Sequence, residues 1–142
     1  MSIPLQQAGV IPYRYADNQI QLLLITSTRT GQWQFPKGMV EPYLTPLASA
    51  LQEAHEEAGA IGQITSDGPL TTYTYAKPWG VRCVVDLYAM QVKRMLSDDE
   101  WLEHGHRQRQ WVGPDQARQL IRSPALQRCL NEFTRWLANH PQ

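Results

Sequence analysis

The sequence predicts an α/β fold in one domain spanning residues 1–142, and three features carry that expectation. Two β-type apolar runs, Ala8–Tyr15 and Ile20–Thr26, flank an Asp17-Asn18 turn and read as a hairpin. A capped amphipathic stretch begins at Thr45-Pro46 and stops at Gly59, as a helix does. More strand-like segments follow, and then a second amphipathic stretch closes the chain.

Taken in order, Ile20–Thr26 is apolar enough for a buried strand, whereas Ala8–Tyr15 alternates loosely. Gly31–Gly38 reads as a short strand or turn, broken by Pro36 and Gly38. In the helix, Thr45 can cap the free amides and Pro46 at the first position loses no hydrogen bond. Leu47, Ala50, Leu51, Ala54 and Ala58 make one core-facing stripe, and Gly59 supplies the stop. Leu70–Tyr75 and Val81–Val92 read as an antiparallel pair around Pro78-Trp79-Gly80. Leu96–His106 reads as an acidic, polar loop and Arg107–Val112 as a short last strand. Pro114 opens a helical turn over Asp115–Ile121. Pro124 opens a packing helix whose Leu126, Leu130, Phe133, Trp136 and Leu137 share a face.

The bulk composition excludes several classes. A chain of 142 residues, 42% hydrophobic and 18% charged, can bury a core and is not a disordered polymer. Thirteen basic residues balance thirteen acidic ones, which disfavours a general nucleic-acid or membrane-surface binder. Cys83 and Cys129 stand among apolar neighbours and read as small buried hydrophobes; two cysteines make neither a disulfide framework nor a structural zinc site. The N-terminus lacks the pattern of a signal peptide, and no apolar run approaches a membrane span, so a cytoplasmic location is expected.

The helix carries an anomaly on its polar side. Glu53 and Glu57 lie within ~40° of one another around the axis, with Glu56 one step away. Like charges four residues apart repel, no Lys or Arg within four helical residues relieves them, and the helix dipole disfavours anions in its last turns. A cation between the carboxylates would reverse the sign. Oxygen-only carboxylate ligands suit Mg²⁺ or Mn²⁺, shared with substrate phosphates. The alternative is an ordinary solvated acidic face.

From Gly38 to Ala60 the sequence resembles the Nudix box, G-x5-E-x7-R-E-U-x-E-E-x-G-U, in which U is a bulky aliphatic residue. Gly38, Glu53, Glu56, Glu57 and Gly59 match in register. Within the family, the chain is most similar to diphosphoinositol polyphosphate phosphohydrolases and dinucleoside polyphosphate hydrolases. Leu23–Arg29, Trp33-Gln34-Phe35-Pro36, Gly38–Pro42 with Pro46, and Arg107–Trp111 carry that similarity. The resemblance implies the Nudix fold, a mixed β-sheet sandwiched between helices. It also implies metal-dependent hydrolysis of a phosphoanhydride in a small diphosphate or polyphosphate, with Mg²⁺ or Mn²⁺ as cofactor. Glu53 and Glu57 would be metal ligands, the Gly38 carbonyl another, and Glu56 a further ligand or the catalytic base. Glu100 and Glu103 in the acidic loop are rival bases.

Two positions depart from the box. Its first glutamate is Leu44, with Glu41 nearby as a partial substitute, and its arginine is Gln52, which offers Glu56 a hydrogen bond but no charge. These departures imply a slower or differently tuned enzyme and keep open a non-catalytic polyphosphate-binding module. An RNA 5′-pyrophosphohydrolase is a third reading, which the neutral charge disfavours, and a homodimer is one assembly to test.

A polyphosphate substrate also needs cations, because arginine forks and lysines pair with phosphate oxygens. Arg29 and Lys37 flank the strand leading into the box, and the spacing of Arg107 and Arg109 places both on one side of a strand. Lys77 and Arg82 are weaker candidates. Trp79 and Tyr43 are candidate base-stacking aromatics, against core packing or bland surface positions. His55, His104, His106 and His140 show no metal-ligand spacing, and His104 and His106 read as solvated.

Overall fold

A computed structural model describes residues 3–141. Its elements, in chain order, are β1 (Leu5–Ala16), β2 (Gln19–Thr26), β3 (Trp33–Gln34), β4 (Lys37–Met39) and α1 (Pro46–Ala58). Then follow β5 (Ala60–Ile64), β6 (Thr71–Ala76), β7 (Arg82–Met95), β8 (Arg109–Val112), α2 (Pro114–Leu120) and α3 (Pro124–Ala138). The hairpin of β1 and β2 turns through Asp17 and Asn18, both with positive φ. That is the geometry a two-residue turn needs to follow the twist of its strands.

The eight strands form one mixed sheet. At its centre β1 runs parallel to β7, from Leu5 opposite Cys83 to Tyr13 opposite Gln91. Strands β5 and β6 share the far edge of β7, and β8 borders β2. The feature that matters for function lies on the near edge of β1. Pairing with β2 ends at Tyr13 and Leu22, after which β1 takes β4 and β2 takes β3. Phe35 and Pro36 span this divergence, and Val10 N–H donates to the Pro36 carbonyl at 3.1 Å. Lys37 and Gly38 are thereby set against α1.

Alternate residues of the central strands feed two cores. Ala8, Val10, Leu23, Ile25, Tyr88 and Met90 pack under Ala50, Ala54 and Ala58 of α1. Ile11, Tyr13, Leu22, Leu24, Val85 and Leu87 pack against Leu126, Leu130 and Phe133 of α3. Both faces of the sheet are thus covered by helices. Both cysteines are free and buried.

Four expectations need correction. Strand β5 is not apparent from patterning, because a short segment interrupted by Gly62 gets its order from pairing with the end of β7. Leu47 is 39% exposed, and buried Ser49 takes its place, its hydroxyl accepting from Glu41 N–H at 3.1 Å. Strand β8 begins at Arg109, so Arg107 lies in the preceding loop and strand alternation does not place it. That loop is more than a solvated connector. Leu96 and Trp101 are buried, and the Trp101 indole N–H donates to the Glu56 carbonyl at 3.1 Å.

Candidate active site

The acidic residues owe their position to the caps of α1. The Thr45 hydroxyl accepts from Ala48 N–H at 3.1 Å, and Gly59 ends the helix in the left-handed region, at φ 61°. A side chain at Gly59 would be strained and would strike the Arg109 guanidinium. Gly38 is needed for a different reason: a Cβ there would overlap the Glu53 carboxyl group. The strand entering the box and the acidic face of α1 are in direct contact through that glycine.

Each glutamate has its own surroundings. Glu57 Oε1 accepts from the backbone N–H of Lys37 at 3.0 Å, and Glu57 Oε2 pairs with Arg107 Nη2 at 3.1 Å. The side chains of that pair are only 13% and 9% exposed. Arg107 also donates to the Thr26 carbonyl at 2.9 Å and to Glu103. Burial pushes the Glu57 carboxyl up, while Arg107 and the Lys37 amide pull it back. Glu53 lacks such partners. Burial first, then the charges of Glu57, Glu56, Glu103 and Glu41, push its carboxyl up to about 7. Glu56 accepts from Gln52 Nε2 at 3.0 Å, the neutral contact available at that position.

The relief absent from the helix itself comes in part from outside it, through Arg107. Glu103 sits within this electrostatic cluster. Glu100 does not: it bonds to Ser97 and Arg94 on the exposed side, and the Ser97 bonds hold its carboxyl low.

These groups suit a hard cation by their chemistry. All are oxygen donors, and burial first, then the surrounding carboxylates, push the Glu53 carboxyl up, a cost that a bound cation would offset. Among the described residues, no three His, Cys, Asp or Glu side chains converge closely enough to hold a metal ion by themselves. An ion held here would have to complete its shell with water and substrate oxygens.

A cleft of about 460 Å³ opens beside this helix, and Glu57, Lys37, Arg107 and Arg29 all line it. Lys77 and Trp79 stand on its wall, Trp79 being 70% exposed with the Lys77 ammonium 5.5 Å from its ring centroid. Tyr75 also lines the cleft. Its hydroxyl accepts from Lys37 Nζ at 3.1 Å, a contact that no sequence pattern announces. Arg109 is placed elsewhere. Its guanidinium donates to the Ala58 and Leu96 carbonyls and lies 4.3 Å from the Trp101 ring centroid, where it ties the end of α1 to the acidic loop. Tyr43 is exposed outside the cleft, and His104 and His106 are exposed as expected.

Comparison with known proteins identifies the family. The NUDIX domain pattern matches residues 5–137. Nudix hydrolase 13, mitochondrial, of Arabidopsis thaliana is 32% identical over 92% of this chain and 74% of its own. The asymmetrical bis(5'-nucleosyl)-tetraphosphatase of Sus scrofa is 32% identical over 83% of this chain and 80% of its own. A crystal structure of a C. elegans Ap4A hydrolase superposes with a TM-score of 0.79, covering 95% of this chain and 99% of that one, at 22% identity. That structural likeness speaks for the fold. The sequence matches go further: this chain belongs to the Nudix hydrolase family.

Proposed function

We propose that this protein is a divalent-metal-dependent hydrolase that cleaves a phosphoanhydride in a nucleotide-linked polyphosphate, with dinucleoside polyphosphates as its substrate class. One observation carries the reading. Glu57 of the acidic helix faces the same cleft as the cations Arg29, Lys37, Lys77 and Arg107, with an exposed tryptophan on the wall. One carboxylate of the acidic helix, cations for phosphates and an aromatic face for a base stand in one groove, while Glu53 and Glu56 lie outside its lining. The similarity to the pig tetraphosphatase supports the same substrate class.

In this reading Glu53 and Glu57 would hold the ion, with the Gly38 carbonyl as a further ligand, and Mg²⁺ or Mn²⁺ would suit the oxygen donors. When bound, the ion would neutralise the diphosphate and acidify a coordinated water. The protein's own groups do the rest. Glu56, oriented by Gln52, takes the proton of the attacking water. Arg107, Lys37 and Arg29 hold phosphate oxygens and stabilise the charge that develops as the bridging P–O bond breaks. Trp79 stacks on a nucleobase. Arg109 serves by fixing the end of α1 rather than by touching phosphate. Gln52 and Leu44 lower the rate without abolishing it, because the Gln52 bond to Glu56 keeps that carboxylate directed.

The decisive assay incubates the protein with dinucleoside polyphosphates, nucleoside diphosphate derivatives and diphosphoinositols, with and without Mg²⁺. Mg²⁺-dependent release of nucleotides is expected, and W79A should raise KM roughly tenfold for nucleotides, by loss of base stacking. No Mg²⁺-dependent product from any of them would refute the enzyme, and inositol turnover alone would refute the nucleotide class. No helix among the described residues is long and apolar enough to cross a membrane. The cytoplasmic reading contrasts with the mitochondrial names of several plant relatives, and cell fractionation decides it.

The site also predicts a pH signature in metal-free protein. Glu53 has a folded pKa near 7, well above its ordinary value, so the folded state binds its proton more tightly than the unfolded one. Its contribution is therefore fully present in acid and is lost as pH rises from about 4.5 through 7. In EDTA, denaturation of wild type and E53Q followed at pH 5, 6, 7 and 8 should show wild type losing ground steadily to the variant. Parallel pH profiles would mean that Glu53 is not strained by its neighbours.

A further inference from the structure

Gln7 is an unexplained cost in the central strand. It is 4% exposed in β1, opposite Met39 in the β1–β4 pair, and burial of an amide is unfavourable unless strong partners replace water. Its partners make an ordered chain into the cleft. Lys37 Nζ donates to the Tyr75 hydroxyl at 3.1 Å, and the Tyr75 hydroxyl donates to Gln7 Oε1 at 2.9 Å. The direction is forced by chemistry. An ammonium can only donate, so Tyr75 must accept from Lys37 and pass its own proton on to an acceptor, which Gln7 Oε1 supplies. Among the described residues the other end of the Gln7 amide meets only the Met39 sulfur, a weak acceptor, at 3.5 Å. Cys83, opposite Tyr75 in the β6–β7 pair, adds a second soft neighbour and no competing oxygen.

We propose that Gln7, acting through the Tyr75 hydroxyl, positions the Lys37 ammonium for phosphate binding. Gln7 touches no substrate and is a positioning residue. The inference rests on the functional reading above and adds to it the device that aims one of its cations. A neutral amide fits this role because it accepts the tyrosine hydrogen bond without becoming a carboxylate that would capture the lysine charge. Two strands and the box-entry segment must converge to build the relay, with Gln7 on β1, Tyr75 on β6 and Lys37 on β4. The lysine approaches the tyrosine from the ring side as well, 4.7 Å from the centroid, which restricts where its flexible stem can place the charge.

The test is a double-mutant cycle on binding of inorganic tripolyphosphate, measured by calorimetry without metal, together with Mg²⁺-dependent hydrolysis by the same proteins. Q7L should weaken tripolyphosphate binding roughly tenfold, as expected for one lost charge-assisted contact. K37M should weaken it at least as much, and Q7L/K37M should be no weaker than K37M alone, because both act through one ammonium. Y75F, which keeps the ring and removes the relay, should match Q7L, while Q7E should keep the tyrosine bond yet still weaken the anion. Equal tripolyphosphate affinity for wild type and Q7L, or fully multiplicative losses in the double variant, would overturn the relay. Absence of Mg²⁺-dependent hydrolysis by wild type would instead overturn the enzyme reading, leaving the relay to stand on binding.

Discussion

Replacing Glu57 by glutamine is expected to lower kcat/KM for a dinucleoside polyphosphate roughly 10³-fold, or about 4 kcal/mol of transition-state stabilisation. The substitution keeps the shape of the side chain and can keep the hydrogen bond from the Lys37 amide, so the loss isolates the charge. Glu57 is the acidic residue that faces the cleft, and removing its charge withdraws the anchor of Arg107 and, on the proposed function, a metal ligand. Steady-state kinetics at saturating Mg²⁺, with circular dichroism to confirm an unchanged fold, measures it. Retention of more than about a tenth of wild-type kcat/KM would remove Glu57 from the catalytic centre. The effect should fall mainly on kcat, because Arg29, Lys37 and Lys77 still hold the polyphosphate.

The second large effect concerns stability and differs in size with and without metal. R107Q leaves Glu57 and Glu103 without the guanidinium they share. Removing one partner of a largely buried ion pair costs about 3 kcal/mol. For a chain of this length that is a fall in Tm of roughly 10 °C. The loss should be full in EDTA and smaller at saturating Mg²⁺, because a bound cation supplies the missing positive charge and ligand binding stabilises the folded state. Thermal unfolding of both proteins in the two buffers decides the matter. If R107Q in EDTA unfolds at the wild-type temperature, the pairing at 3.1 Å contributes nothing to the fold. If Mg²⁺ fails to narrow the gap, the ion does not act near Glu57.

What the sequence reveals and what it conceals divides along the reach of the interactions. Helix α1 is legible to its ends, since Thr45, Pro46 and Gly59 act within one turn of where they stand. The hairpin is legible for the same reason, with Asp17 and Asn18 fixing its turn locally. The strain among Glu53, Glu56 and Glu57 can be read from helical spacing, and the departures at Leu44 and Gln52 from the box itself. Strand β5 is hidden because its order is conferred by β7. The partners of the arginines are hidden too. Spacing alone makes Arg107 and Arg109 equivalent, but one reaches Glu57 across fifty residues and the other closes the end of α1. Gln7 gives no signal at all. Its meaning depends on Tyr75, 68 residues away, and on a lysine brought near by the divergence of β1 and β2.

The parallel alliance of β1 with β7 governs the order in which this molecule can be born. The first strand is made well before its long-term neighbour, which arrives only when residues 83–91 have been made. Until then α1 has a surface to rest on that lacks its other flank, and the acidic centre has no firm floor. Closing so large a loop carries an entropic toll, and topologies dominated by distant pairings mature slowly. Competence for chemistry therefore waits on β7, and until it is made the apolar hairpin must be kept from strangers.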